Sequence, residues 1–364
     1  MKLSIMKLRS PIAPTAFVIL AICGFTFGDD LPTKDQLIEH YRQSQAILGS
    51  HYVRTEMSVK NEIKNAGTGG KQYTVLDGVH EANAENRLFI DVEKKRFAIK
   101  RMSWGFVSPR AAIVSRADAK DDCWMFDGTK HYYYSNAGTK GSVIINDIEP
   151  KTNVLDEAYM NSGDQRAYGY FNEKLRIDAI LEKATSASVR AKYDDDTHIV
   201  KCYVVDAKTP YGKYVVSFDP SHDYNICELE QTIEPGDIGE GGVYKTCKSH
   251  AHYNVKEFKQ LGATWYPWQA HVSEQLTMTG TSPGMSSSIE VEIQRKELVI
   301  NPDFDGLKAF SLSEIKDGAA VSIPGKADVP FTWRHGQAHA DVDENVVRTI
   351  DQTVQPKNAT TKSQ

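Results

Sequence analysis

The chain has 364 residues, of which 25% are charged, and a formal net charge of −5 at pH 7. This length suits one large domain or two smaller ones, and either can bury a hydrophobic core. Because the acidic excess is mild and spread along the chain, it argues against a nucleic-acid partner, which would need a basic face. Tyrosine, phenylalanine, threonine and valine recur in short alternating segments, which favours β structure.

The N-terminal region has the pattern of a secretory signal peptide. Three basic residues within the first nine precede an apolar run over residues 12–27. The run is too short and its flanks too one-sided for a transmembrane helix, so we expect export to the periplasm or cell envelope. Residues 1–28 are then the signal peptide, with cleavage at Gly28. An uncleaved anchor and lipidation at Cys23 are the alternatives.

The exported part begins with a predicted helix over residues 33–49, with Thr33 as its N-cap and Gly49 as its stop signal. Alternating residues then predict four strands, over residues 51–63, 71–80, 87–93 and 96–102. The last two have the spacing of a β-hairpin. Residues 103–119 are less regular.

The stretch CWMFDGTKHYYY, residues 123–134, joins two of the most aromatic runs of the chain through Asp127-Gly128. An Asp-Gly pair between strand-forming residues predicts a tight hairpin turn, because such a turn requires positive φ angles. Alternation places two pairs of aromatic side chains on common faces: Trp124 with Phe126, and Tyr132 with Tyr134. So much aromatic surface must be covered by a helix, another strand layer or a ligand.

The second half of the chain has the pattern of a β-meander. A short strand at residues 142–147 and a loop at 150–170 precede a predicted helix at 172–184. Seven strand-like segments then alternate with turn signals: residues 188–193, 198–206, 213–219, 224–233, 243–254, 263–277 and 288–300. Their short connections predict antiparallel pairing.

Four cysteines remain after the signal peptide: Cys123, Cys202, Cys227 and Cys247. An even number in an exported protein permits disulfides. Cys227 and Cys247 lie on predicted neighbouring strands, which makes them the first candidate pair. Four buried free thiols are the alternative.

Motifs typical of catalytic, metal-binding or phosphate-binding sites are weak in this sequence. His250, His252 and His271 lie on adjacent predicted strands and could converge on zinc, but a solvated strand face is the better explanation. Neither the acidic turn at residues 194–196 nor the glycine-rich residues 236–242 has the further ligands of a calcium or phosphate site. We therefore predict no catalytic residue, metal or cofactor, while a hydrolase with a dispersed site stays an alternative.

Apolar binding is the alternative to chemistry, and it competes with the simpler interpretation that the aromatic side chains are the packed core under the two helices. A large curved antiparallel sheet can enclose an apolar cavity between one face and helices laid across it. The candidate ligand-binding residues are the aromatic side chains of the paired strands: Phe89, Phe97, Trp124, Phe126, Tyr132 and Tyr134. Because only one face of each strand can line a cavity, some of these six must instead belong to the packed core.

Residues 34–232 resemble the LolA-like family of periplasmic lipoprotein-sorting carriers. The resemblance rests on a signal peptide, a helix at 33–49, the strand RFAIK, the segment MFDGTKHYYYS and the late segment YVVSFDPSHDYNICELE. It implies a half-open curved sheet with helices as a lid over a cavity for acyl chains. Glu93-Lys94 stand where the family has Arg-Pro, so the arginine associated with ligand handover is not matched.

Together these observations predict a mainly β (α+β) protein with a half-open β-barrel and a few covering helices. Residues 29–335 would form one LolA-like β domain with a C-terminal strand-rich extension, and residues 336–364 a polar, disordered tail. The predicted function is non-enzymatic binding of a lipid or lipidated protein in an apolar cavity. A structural or protein-interaction module of the cell envelope is the alternative.

Overall fold

The structure is a computed structural model. It describes residues 31–64, 78–105, 114–136, 141–146, 153–172, 175–197, 199–239, 242–262, 264–278, 285–326 and 329–341. The helices in these ranges are α1 (Lys34–Ala46), α2 (Val154–Asn161) and α3 (Ile177–Glu182). Short 3-10 turns lie at Arg116–Asp118, Gln165–Tyr168 and Pro220–His222.

The strands of the first half are β1 (His51–Lys64), β2 (Gly78–Asp91), β3 (Arg96–Gly105), β4 (Lys120–Phe126), β5 (His131–Ser135), β6 (Ser142–Asn146), β7 (Tyr170–Asn172) and β8 (Leu175–Arg176). Those of the second half are β9 (Ser186–Tyr193), β10 (Val200–Thr209), β11 (Gly212–Asp219), β12 (Asn225–Ile233), β13 (Ile238–Gly239), β14 (Gly242–Val243), β15 (Cys247–Leu261), β16 (Thr264–Met278), β17 (Met285–Ile300), β18 (Ala320–Ser322), β19 (Phe331–Arg334) and β20 (Gln337–Ala340). The protein is mainly β, as the sequence predicts.

Sixteen of these strands form one open sheet, in the order β20-β19-β18-β6-β5-β4-β3-β2-β1-β17-β16-β15-β12-β11-β10-β9. The two meanders meet at its centre, where β1 pairs with β17 along most of its length. Neighbours are antiparallel except β18, which lies parallel to β6, so the sheet is mixed and not purely antiparallel. Strands β9 and β20 are its two edges.

Local sequence signals account for the parts predicted correctly. Thr33 caps α1 through a reciprocal capping box with Gln36, the arrangement that satisfies the free N–H groups of a first helical turn. Gly49 has φ +53°, a left-handed conformation that glycine adopts readily and that separates α1 from β1. The hairpin predicted around residues 93–95 is present, with Asp91 opposite Arg96.

Two predictions in the middle of the chain are wrong. Residues 150–170, expected to be loop, contain α2, in which Ala158 is buried and Val154, Leu155, Tyr159 and Met160 pack against the core beneath it. The helix expected at residues 172–184 is only α3. The residues before α3 pair as the small hairpin β7–β8, and Arg176 at its N-cap is extended. The Gly67–Gly70 turn and residues 71–77 of a predicted strand lie outside the described residues.

The helices pack on one face of the large sheet, which we call the helix side. Val53, Thr55 and Met57 alternate along β1 on this face. Val53 lies opposite Leu88, which belongs to the core under α2, and Met57 packs against the core under α1 and α3. The two cores are therefore neighbouring parts of one layer.

On the other face, the opposite side, residues 301–326 and 329–340 cover β1–β6, and we call them the C-terminal segment. Trp333 is 2% exposed and Ala309 0% exposed against β1–β6. Strand β20 extends the paired structure past residue 335, where a disordered tail was expected. Within the described part of the chain, no helix has the length and apolarity needed to cross a membrane.

Candidate functional site

The six aromatic candidates divide between the two faces of the sheet. Strand pairing places Phe97 opposite Phe126, and Ile99 opposite Trp124, all facing the helix side. Phe89, Tyr132 and Tyr134 face the opposite side, where they contact the core beneath the C-terminal segment. These three therefore cannot line a cavity beneath the helices, because alternate side chains of a strand point to opposite faces.

On the helix side, Phe97 and Phe126 are core residues beneath α2. Phe97 is 0% exposed, and its ring centroid lies 6.4 Å from that of Phe126. His131 packs 4.7 Å from the Phe126 ring and reaches Glu157 of α2, with 3.7 Å between its Nδ1 and the carboxylate. Burial raises the pKa of Glu157, and His131 opposes that shift. The contact between His131 and Glu157 therefore links α2 to β5.

Beyond α2 the same face carries a row of less covered apolar side chains. Trp124 on β4 lies directly opposite Tyr133 on β5, and Tyr133 lies opposite Ile144 on β6. Trp124 is half-buried, whereas Tyr133 and Ile144 are 42% and 43% exposed. We call these three side chains the apolar row. Its residues are adjacent across three strands, so together they form a continuous apolar surface.

On the opposite side, the C-terminal segment covers the remaining aromatic candidates. Phe89 is 3% exposed and stacks on Tyr52 at 4.8 Å. Tyr134 lines a polar pocket of about 350 Å³ together with Arg87, Lys100 and Glu314. Tyr132 lines a separate cleft of about 300 Å³ between β5, β6 and the C-terminal segment.

The Asp-Gly turn is longer than the sequence predicts. Phe126 pairs with His131, so the loop has four residues, and only Gly128 within it has a positive φ. Asp127 accepts hydrogen bonds from the backbone N–H groups of Thr129 and Lys130, at 2.8 Å each. Burial acts to raise the pKa of Asp127, but these bonds and one from Tyr132 hold it below its usual value. The side chain of Asp127 therefore organises the loop.

A buried polar cluster that the sequence analysis missed lies between the two helix-side cores. Arg295 on β17 is 0% exposed and forms an ion pair with Asp164, next to the 3-10 turn that follows α2. Burial acts to lower the pKa of Arg295, but the charge of Asp164 holds it above its ordinary value. The signal was present in the sequence, because Arg295 continues the alternation of Val291 and Ile293 along one face of β17.

Cys227 and Cys247, the first candidate disulfide pair, are not bonded to each other. All four are free thiols. Cys227 lies beside Cys202, and its Sγ also contacts the carbonyl oxygen of Ser217 at 3.4 Å. The hydrogen bond from Cys227 lowers the pKa of Cys202 to about 7. Cys247 begins β15 far from this contact, because the register pairs Glu228 with Asn254.

The histidines predicted on adjacent strands lie on the opposite side, where His252 and His271 contact carboxylates. His271 has Glu290 at 2.8 Å from Nε2 and Glu292 at 2.9 Å from Nδ1. His252 contacts Glu228 at 3.1 Å, and His250 contacts Thr232 at 3.3 Å. In the part of the chain that the structure describes, no three His, Cys, Asp or Glu side chains are arranged to hold a metal ion.

The two remaining motifs are local turns. Asp194 accepts hydrogen bonds from the backbone N–H groups of Asp196 and Thr197, and these bonds, led by those from Thr197, lower its pKa. At the glycine-rich stretch, the two-residue strands β13 and β14 pair with each other, and Ile238 lies opposite Val243.

Comparison with known proteins gives distant structural likenesses. No protein family matches the sequence, and no curated protein does. A LolA superfamily protein from Nitrosomonas europaea aligns over 76% of this chain and 97% of its own, with 9% identity and a TM-score of 0.32. Lipovitellin, described for its lipid–protein interactions, aligns over 70% of this chain and 26% of its own, with 10% identity and a TM-score of 0.30. The first is at most a distant likeness in fold.

Proposed function

We propose that this chain is an exported, non-enzymatic protein that holds the acyl chain of a lipid or lipidated protein on the helix side of its sheet. The observation that carries the proposal is the apolar row. Tyr133 and Ile144 keep more than 40% of their surface exposed, beside the buried Phe97 and Phe126. A continuous apolar surface next to a packed core is a common place for an apolar ligand.

Burial of the acyl chain would supply the binding free energy. Each methylene group transferred from water contributes about 0.8 kcal/mol. The half-buried Trp124 links the exposed part of the row to Phe97, with a ring centroid distance of 6.4 Å. An acyl chain lying across β4, β5 and β6 would therefore contact this row and the flank of α2.

The test is mass spectrometry of lipids extracted from the purified protein, together with titration of a fluorescent fatty acid. We expect a co-purifying lipid and saturable binding. In the double variant Tyr133→Ser/Ile144→Ser the affinity for the fatty acid should fall at least tenfold, because roughly 1.5–3 kcal/mol is associated with each large apolar side chain.

The matched control is Tyr193→Ser/Ile199→Ser, which removes a tyrosine and an isoleucine that are 54% and 68% exposed elsewhere on the surface. This control should bind like the parent protein. Equal affinity of all three proteins, or the absence of any lipid and any fatty-acid binding, would refute the carrier function.

A protein-interaction module is the second candidate, and one observation favours it. Strand β9 is an edge of the large sheet, and only its β10 side is paired within the described residues. An edge strand can accept a further strand from a partner protein. The Tyr193→Ser change lies in β9, so a defect in partner capture confined to the control variant would support this second function.

A further inference from the structure

Two of the four cysteines meet on the opposite side of the sheet, close to its β9 edge. Cys202 on β10 and Ser217 on β11 alternate with residues of the core under α1 and α3, so both side chains point to the opposite side. Cys227 on β12 reaches the same face. Its Sγ lies 3.4 Å from the carbonyl oxygen of Ser217, and its thiol donates a hydrogen bond to Cys202. Two sulfur atoms therefore lie side by side over β11.

Strand pairing explains why Cys227 turns towards Cys202. Ser217 pairs with Glu228, whereas the next residue of β11, Phe218, pairs with Ile226. Cys227 is thus the extra residue of a β-bulge, a feature that changes the direction in which a side chain points. The side chain between the two thiols is the small one of Ser217, which leaves room for the sulfur atoms to approach each other.

The strand order works against a disulfide between these thiols. Strand β11 lies between β10 and β12, so two strand spacings of about 4.8 Å separate the cysteine Cα atoms by roughly 9–10 Å. A disulfide joins Cα atoms that are usually about 4.4–6.8 Å apart. A metal ion between the sulfur atoms adds two metal–sulfur bonds of about 2.3 Å each. It bridges the pair without moving β10 towards β12.

Hydrogen bonding between the thiols prepares them for a cation. The bond from Cys227 lowers the pKa of Cys202 to about 7, and the same bond raises the pKa of Cys227. Near neutral pH the pair therefore holds a single proton between two sulfur atoms. A monovalent cation can replace this proton without changing the net charge of the site.

The surroundings of the pair are compatible with a cation. Lys192 lies opposite Cys202, and its Nζ is 3.8 Å from the carboxylate of Glu228. The carboxylate of Asp219 contacts His222 at 2.7 Å. The nearby lysine thus has a carboxylate partner, and the two carboxylates favour a positive ion at the thiols.

The pair is also accessible from the surface. Ser217 and Glu228 belong to the lining of a surface groove of about 290 Å³. Cys227 is half-buried, whereas Cys202 is 3% exposed. An ion would therefore enter from the groove and meet the thiol of Cys227 first.

We propose that Cys202 and Cys227 form a two-coordinate binding site for the soft monovalent cation Cu(I). Thiolate sulfur is a soft ligand that selects Cu(I) over harder cations. On binding, the remaining S–H bond breaks, two copper–sulfur bonds form and one proton leaves, with no change in the oxidation state of copper or sulfur. The site lies on the opposite face of the sheet from the apolar row, so it is independent of acyl-chain binding.

Anaerobic titration of the reduced protein with Cu(I), in competition with the chromogenic chelator bicinchoninate, tests the site. We expect one tightly held copper ion per chain. Cys202→Ser and Cys227→Ser should each weaken the affinity on the order of a hundredfold, because a hydroxyl is a poor ligand for a soft ion. Cys247→Ser, at another half-buried thiol, is the matched control and should bind copper like the parent protein.

Alkylation of the parent protein gives a second test that needs no variant. Iodoacetamide treatment followed by peptide mass spectrometry should show that Cu(I) protects Cys202 and Cys227 and leaves Cys247 as reactive as before. Unchanged copper affinity in Cys227→Ser, protection of Cys247 alone, or a disulfide between Cys202 and Cys227 in the purified protein would overturn the proposal. Circular dichroism checks the folding of Cys202→Ser, and the alkylation test does not depend on it.

Discussion

At the scale of single residues, the buried polar groups are the most informative feature. His51 begins β1, is 0% exposed and lies 6.0 Å from the ring of Tyr159 and 6.1 Å from that of Tyr168. Burial lowers the pKa of His51 to about 4, although a contact with the Gly49 carbonyl opposes the shift. The folded protein therefore holds a neutral imidazole at pH values where the unfolded chain is already protonated.

This difference predicts acid sensitivity. The lowered pKa of His51 stabilises the folded state fully above pH 6.5, and the stabilisation is lost as the pH falls towards 4. The expected loss is about 3 kcal/mol. Urea denaturation at pH 7.5 and 4.5 should show a smaller pH dependence in His51→Gln than in the parent protein. His339→Gln, at an exposed histidine, should behave like the parent. Parallel pH profiles of all three would contradict the assignment.

The ion pair of Arg295 and Asp164 gives a second prediction. Both side chains are almost inaccessible to solvent, at 0% and 4% exposure. Arg295→Met leaves a buried carboxylate without its partner, and we expect the free energy of unfolding to fall by about 3–5 kcal/mol. Arg295→Met/Asp164→Leu should recover most of that loss. Urea denaturation measures both variants, and a double variant no more stable than the single one would argue against direct coupling.

At the scale of elements, a strand inside the sheet is hydrogen-bonded on both sides, whereas an edge strand is hydrogen-bonded on one side only. β1 is bonded to β2 on one side and β17 on the other, and Ser58 lies opposite both Asn83 and Glu292. β9 is bonded only to β10 among the described strands, with Ala187 opposite Ala207. The same backbone change should therefore have different effects in the two strands.

Proline substitution tests this difference. Ser58→Pro removes a backbone N–H from a central strand and should prevent stable folding of the chain. Ala187→Pro in the edge strand should leave a folded protein, because an edge accommodates proline. Circular dichroism and the urea midpoint of each variant measure the effect. Equal stability of the two variants would contradict the observed strand order.

At the scale of the whole molecule, two different layers cover one sheet. On the helix side α1, α2 and α3 pack over two cores, and on the opposite side the C-terminal segment covers β1–β6. This division explains why the aromatic hairpin cannot be a single ligand-binding surface. Its Trp124 and Phe126 belong to one layer, and its Tyr132 and Tyr134 to the other.

The sequence by itself determined most strands of the two meanders, the N-cap at Thr33, the hairpin at residues 93–95 and the alternation of the aromatic residues, because each depends on spacing along a short segment. Only the tertiary structure decided the pairing of β1 with β17, the cover over each face and the contact between Cys202 and Cys227. These features join residues far apart in the chain. Their energies depend on packing between elements, which no local pattern encodes.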